Sequence, residues 1–118
     1  MKKLICVLLL LVLFLCGCSS VSADGAELVY NEGQVQINTV LTDEEAEAVA
    51  AAFDNKLLYS DNPSCGFSAD YSITCGGREF WIAGDGCTIV KDCESGKFFT
   101  ISDADRSMID GLVEKYSK

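Results

Sequence analysis

The chain of 118 residues contains no histidine, and this absence removes several classes of enzyme. Without an imidazole there is no serine or cysteine nucleophile activated by histidine, and no metal site that uses histidine ligands. The sequence also lacks the G-x-S-x-G elbow of esterases, the phosphate-binding loop and the dinucleotide fingerprint. No C-x-x-C pair is present, so thiol–disulfide exchange has little support.

Basic residues are scarce, because nine lysines and arginines stand against eighteen acidic residues and give a net charge of −9. Lys2 and Lys3 belong to the leader described below, and the remaining chain carries a net charge of −11. A surface this negative repels nucleic acid and anionic lipid headgroups. The charge therefore argues against a nucleic-acid partner, and it is compatible with a cationic one.

The N-terminus has the organisation of a secretory signal peptide. Lys2 and Lys3 precede an apolar run over residues 4–15. These twelve residues are too few for a transmembrane helix, which needs about 20. The run ends on LCGC at residues 15–18, which resembles the lipobox of bacterial lipoproteins.

This resemblance implies that Cys18 receives a diacylglyceryl thioether, becomes the first mature residue and anchors the chain to the bacterial membrane through acyl groups such as palmitate. We therefore expect a signal peptide (residues 1–17), a lipidated tether (18–27) and a single domain (28–118). The alternative is simple secretion, with cleavage after Ala23 so that Asp24 becomes the mature N-terminus. An uncleaved signal anchor is a third interpretation. The first two predict a domain outside the cytoplasm.

Four cysteines follow the leader, Cys65, Cys75, Cys87 and Cys93, and in a small exported domain they indicate two disulfides. The spacing does not fit a four-cysteine zinc site, so we expect neither a metal nor another cofactor. Cys87 and Cys93 lie on one predicted strand, about 20 Å apart, and cannot pair. The same holds for Cys65 and Cys75, unless a hairpin forms at Asp70. The predicted disulfides are Cys65–Cys87 and Cys75–Cys93, which requires the strand ends to curl inward or the cysteine strands to be neighbours.

Hydrophobic patterning predicts an α+β fold. Residues 28–41 are extended and fit a strand or a hairpin that turns at residues 31–33. Capping-box sequences at residues 42–45 (TDEE) and 102–105 (SDAD) begin two helices. Alternating apolar positions from residue 67, with a turn at Gly76-Gly77, predict a four-stranded antiparallel meander that ends at residue 101. We expect both helices to cover one face of this sheet.

The mature region also resembles small uncharacterised secreted domains of Gram-positive bacteria. The residues that carry this resemblance are PSCGF at 63–67, GDGC at 84–87 and ISD at 101–103. The resemblance covers part of the chain and implies no activity.

Trp81 is the candidate binding residue. Phe80 and Ile82 are expected to face the helices, so Trp81 projects from the opposite, polar face of the sheet. An exposed tryptophan can anchor a protein or a sugar ring, whereas one that is partly covered by a loop only fills space.

Two functions from different classes are consistent with these features. The first is a non-catalytic binding or inhibitor module at the cell surface, with an extracellular protein or glycan as its partner. The alternative is a small envelope hydrolase in which two carboxylates meet in a cleft. The acids considered for that role are Asp70, Glu79, Asp85 and Asp92. The sequence assigns no catalytic residue and no oligomeric state.

Overall fold

The computed structural model describes residues 21–60 and 63–117. Its elements, in chain order, are β1 (Glu27–Glu32), β2 (Val35–Val40), α1 (Asp43–Phe53), β3 (Tyr71–Cys75), β4 (Arg78–Ile82), β5 (Ile89–Asp92), β6 (Lys97–Thr100) and α2 (Asp103–Tyr116). The predicted α+β class is confirmed. The lipobox and Cys18 lie outside the described residues, and within those residues no helix is long and apolar enough to cross a membrane.

All six strands belong to one antiparallel sheet with the order β2-β1-β3-β4-β5-β6. The four consecutive strands β3 to β6 form the expected meander. The predicted strand count is wrong for the sheet as a whole, because the N-terminal hairpin extends it beside β3. Leu28 of β1 pairs with Ile73 of β3, and the two apolar side chains share the buried face.

The core lies between this face and the two helices. Leu28, Ile73 and Phe80 are cross-strand neighbours on β1, β3 and β4, and each is at most 1% exposed. The Phe53 ring of α1 packs 4.8 Å from the Phe80 ring, between centroids. From α2, Ile109 is fully buried in the same cluster. The helices therefore cover one face of the sheet, as the periodicity predicts.

The segment before β3 differs from the prediction, since the strand begins at Tyr71 and residues 63–70 form turns, bends and irregular chain. Two contacts hold this segment against the loop that follows β4. The Gly84 amide donates to the Gly66 carbonyl at 2.9 Å, and the Gly66 amide donates to Asp85 at 3.3 Å. These loop contacts replace strand pairing, so the alternation of residues 67–70 does not produce a strand.

The capping box at the start of α1 is confirmed, and its Glu45 also joins the two helices. Glu45 accepts hydrogen bonds from the Thr42 amide at 3.0 Å and from Lys115 Nζ at 2.6 Å. It also accepts a hydrogen bond from the Tyr116 hydroxyl. Burial raises the pKa of Glu45, but these hydrogen bonds outweigh burial and lower the pKa from 4.5 to about 2.

We expect Glu45→Gln to lower the free energy of unfolding by about 1 kcal/mol at pH 7. Because the pKa of Glu45 is lower in the folded chain, the stabilisation is present above pH 4.5 and is lost as the pH falls toward 2. Urea unfolding at pH 7 and pH 2 measures both effects. The control is Glu44→Gln, an exposed neighbour in the same helical turn. An equal cost of Glu45→Gln at both pH values would contradict the ionic role.

Candidate functional site

A polar cleft opens at the end of the sheet where β1 ends and β3 begins. One part, of about 190 Å³, is lined by Tyr30, Glu32, Asp70 and Tyr71 among others. A second part, of about 390 Å³, shares both tyrosines and extends to Arg106 and Asp110 of α2. We refer to the cleft formed by these six residues as the tyrosine cleft.

The two tyrosines form a fixed aromatic pair at its centre. Tyr30 and Tyr71 are cross-strand neighbours, and their rings meet edge to face with centroids 4.9 Å apart. The Tyr71 hydroxyl donates to Asp110 at 2.7 Å, and the Tyr30 hydroxyl donates to Glu32. Burial and then the hydrogen bond to Asp110 raise the pKa of Tyr71, whereas the hydrogen bond to Glu32 chiefly raises that of Tyr30. Both phenols are therefore neutral donors at physiological pH.

Arg106 forms the inner wall of the cleft, and its side chain is 9% exposed. Its Nη1 donates to the backbone carbonyls of Ala83 and Cys87, each at 2.7 Å. Its Nε donates to Asp110 at 3.1 Å, and its guanidinium lies 5.4 Å from the centroid of the Tyr71 ring. One arginine thus connects α2, the loop after β4 and the tyrosine pair.

Arg106 is a site residue that the sequence patterns above do not predict. A signal was present, because Arg106, Ile109 and Val113 follow one another at helical spacing on an otherwise apolar stripe. An arginine within such a stripe is buried only when its donors are satisfied. The partners that satisfy it, Ala83 and Cys87, lie far away in the sequence.

The predicted disulfide between Cys65 and Cys87 is confirmed, with Cα atoms 6.3 Å apart. It joins the two loops whose contacts at Gly66, Gly84 and Asp85 are described above, and Gly84 lines the tyrosine cleft. Closing a loop of this length stabilises the fold by about 3 kcal/mol in the chain-entropy account. Asp85 lies within 4.8 Å of both sulfurs, so three metal ligands would become available only after reduction.

The predicted disulfide between Cys75 and Cys93 is wrong, since both are free thiols. Cys75 lies on the helix-covered face with Tyr71 and Ile73 and is fully buried. Cys93 contacts Glu79, whose side chain projects from the opposite face. The two thiols therefore point to different sides of the sheet. Burial raises the pKa of each to about 11, which keeps both protonated at neutral pH.

Trp81 lies on the face opposite the helices, because its neighbours Phe80 and Ile82 are buried on the helix side. Lys91 Nζ lies 5.0 Å from the centroid of the indole ring. The residue is half-buried, and its indole nitrogen is enclosed without a hydrogen-bond partner in the described part of the chain. Its role as a binding residue stays a prediction.

The four acids considered for hydrolysis are distributed over the molecule. Asp92 is 2% exposed and pairs with Arg78, while Glu79 projects from the opposite face. Asp85 lies in the loop tied by the disulfide. Asp70 lines the tyrosine cleft together with Glu32, an acid that the sequence analysis did not consider.

Comparison with known proteins found no matching family, no similar curated protein and no similar solved structure.

Proposed function

We propose that this protein is a lipid-anchored, non-catalytic binding module that holds a partner in the tyrosine cleft outside the cytoplasm. The observation that carries the proposal is the fixed pair of Tyr30 and Tyr71 at the centre of an open polar cleft. Tyr71 is 6% exposed and supports Tyr30, whose half-buried ring offers the contact area to a partner. A tyrosine ring loses little conformational entropy on binding.

The surroundings of the pair support a preorganised site. Asp110 accepts hydrogen bonds from the Tyr71 hydroxyl and from Arg106. Arg106 in turn donates to two backbone carbonyls. The Cys65–Cys87 disulfide fixes the adjoining loop. A site whose side chains are already in place loses less conformational entropy when a partner binds.

The charge of the cleft favours a cationic group on the partner, such as a lysine or arginine side chain. Glu32 and Asp70 line the cleft beside the tyrosine rings, and aromatic faces also attract cations. The positive charge of Arg106 is matched by Asp110. The net charge of −11 on the chain after its leader would steer a cationic partner toward the domain.

The position of the cleft suits a domain tethered by its N-terminus. The chain enters the sheet beside the β3–β4 turn, where the Gly76 amide donates to the Asp24 carbonyl at 2.9 Å. β1 then runs to the opposite end, where Tyr30 and Glu32 line the cleft. Its six residues span about 20 Å. A tether that leads into the domain through Asp24 would therefore enter it at the end of the sheet remote from the cleft.

The anchor is tested by fractionation in a bacterial host. We expect the wild-type chain in the membrane fraction and Cys18→Ala in the soluble fraction. Mass spectrometry of the wild type should show a lipid-modified N-terminal Cys18. An unmodified N-terminus at Asp24 would show that the chain is secreted and not anchored.

The binding site is tested with the chain from Ser19 onward as bait against envelope and extracellular components, since every described element lies within it. We expect Tyr30→Ala to weaken binding of the retained partner about tenfold, and Asp70→Asn to weaken it about threefold. Glu79→Gln is the control, because it removes one exposed carboxylate from the face of the sheet that the helices do not cover. If the partner binds the wild-type chain, Tyr30→Ala, Asp70→Asn and Glu79→Gln with equal affinity, the cleft is not the binding site.

A further inference from the structure

The two edge strands of the sheet, β6 and β2, differ in whether another segment of the described chain pairs with them. At the β6 edge, Tyr59 and Phe98 exchange two backbone hydrogen bonds, each 2.9 Å long, so the segment after α1 covers this edge. At the other edge, no strand within residues 21–60 and 63–117 pairs with the outer side of β2. An uncovered edge presents free backbone donors and acceptors.

The hydrogen-bond pattern identifies the backbone groups of β2 that face outward. The Leu41 amide donates to the Ala26 carbonyl of the neighbouring chain segment at 2.9 Å. In an antiparallel pair, alternate residues bond to the partner strand, so Thr39, Ile37 and Val35 also face β1. The amides and carbonyls of the three intervening residues point away from the sheet. These are Gln36, Asn38 and Val40.

β2 carries none of the usual devices that protect an edge strand. Its six residues include no charged residue and no proline, and its register with β1 is continuous, without a bulge. Val40 is 64% exposed and Val35 is 37% exposed. Edge strands of soluble proteins are usually blunted by lysine, proline or a bulge. The strand is therefore open to the addition of another.

We propose that β2 binds an extended segment of a partner protein, which adds a seventh strand to the sheet through the outward groups of Gln36, Asn38 and Val40. The segment would have an uncharged, β-branched centre that packs beside Val40, and basic residues at its ends. β2 itself lies outside the tyrosine cleft, and the two sites have only Glu32 in common. The inference does not depend on the function proposed for that cleft.

Charge determines the choice of occupant. Acids lie at both ends of β2, with Glu32 before it and Asp43 and Glu44 after it. Basic flanks on the partner segment would complement them. A second copy of this chain would bring the same acids and a further net charge of −11 against them, so self-pairing is disfavoured.

The test is an NMR titration of the isotope-labelled chain from Ser19 with an acetylated and amidated KVTVTVK peptide. We expect shifts centred on β2 and slower hydrogen exchange of the Gln36, Asn38 and Val40 amides. An EVTVTVE peptide is the charge control and should bind at least about tenfold more weakly. A lysine peptide that leaves β2 unshifted, or an equal affinity for both peptides, would overturn the proposal.

Two variants connect the binding to the edge itself. Asn38→Pro removes an outward amide and is expected to weaken binding about tenfold, and proline is tolerated on an edge whose N–H faces solvent. Asn38→Thr is the matched control, since it keeps the amide. Val40→Lys retains the strand. It should weaken binding of the lysine peptide and strengthen binding of the glutamate peptide. This variant keeps the test decisive if the proline variant fails to fold.

Two further outcomes would identify a different occupant or site. Light scattering could detect a dimer of the wild-type chain. If Asn38→Pro makes that dimer monomeric, β2 pairs with a second copy of this chain. Peptide shifts confined to Tyr30 and Tyr71 would show that the basic residues enter the tyrosine cleft. Either result would overturn the proposal for β2, and the second would support the cationic preference of the cleft.

Discussion

Asp92→Ala is expected to lower the free energy of unfolding by about 3–5 kcal/mol, the largest effect of any single substitution considered for this chain. Asp92 is 2% exposed and accepts hydrogen bonds from Arg78 Nη2 and Ser95 Oγ, each at 3.0 Å. It also accepts a hydrogen bond from the Glu94 amide at 3.1 Å. Removing this carboxylate leaves a half-buried guanidinium, a hydroxyl and an amide without their main acceptor.

Chemical denaturation of the purified chain measures this loss. Glu94→Ala is the control, because Glu94 contacts the same arginine but its side chain is 70% exposed. We expect that control to cost at most about 1 kcal/mol. Asp92→Asn keeps the size and removes the charge, so its cost should fall between the two. A cost of Asp92→Ala equal to that of Glu94→Ala would show that the buried ion pair does not stabilise the fold.

Arg106→Met is expected to lower the free energy of unfolding by about 3 kcal/mol, because the Ala83 and Cys87 carbonyls lose their shared donor. Methionine keeps the length and the apolar contacts of the side chain, so the loss reports the guanidinium bonds. Asp110 would also lose its positive partner. The loop at residues 84–87 should then exchange its amide hydrogens faster than in the wild type.

Denaturation and hydrogen exchange check this prediction together. Ser107→Ala, an exposed change in the next position of α2, is the control and should have little effect. Arg106→Lys retains the charge but cannot reach several acceptors with one planar group, so it should recover only part of the stability. A full recovery by lysine would show that charge alone, and not the forked geometry, holds the loop.

The Arg106 variants do not separate stability from binding. Arg106 touches the Tyr71 ring and the carboxylate that orients the Tyr71 hydroxyl. The stabilising contacts of this arginine and the shape of the tyrosine cleft therefore have the same origin. Tyr30 lies at the open side of the pair and is half-buried, which makes it the better position for binding tests.

Local signals in the sequence predicted the local structure well. The TDEE sequence at residues 42–45 forms the complete capping box of α1, and Ser102 caps α2 by accepting the Asp105 amide at 3.0 Å. The turn at Gly76-Gly77 joins β3 to β4, and both glycines have positive φ angles of 56° and 81°. Such turns and caps depend on residues within four positions of each other, so the sequence displays them directly.

The errors arose where distant segments meet. The alternation at residues 67–70 predicted a strand, but contacts with the loop at residues 84–87 hold the segment in turns. The positions of Cys75 and Cys93 along the meander predict a disulfide, but side chains alternate between the two faces of a sheet, and these two thiols lie on different faces. A difference of one residue in strand parity places a thiol on the other side of the sheet.

The sequence by itself determined the α+β class, the positions of both helices, the meander and the acidic charge. Each of these follows from composition, from periodicity or from the ends of short elements. The tertiary structure decided the order of the strands, with β2 at one end, the cysteine pairing and the tyrosine cleft. Tyr30 and Tyr71 are 41 positions apart, and they meet because β1 packs beside β3. Such pairings are selected by the burial of a shared apolar face, which no local pattern specifies.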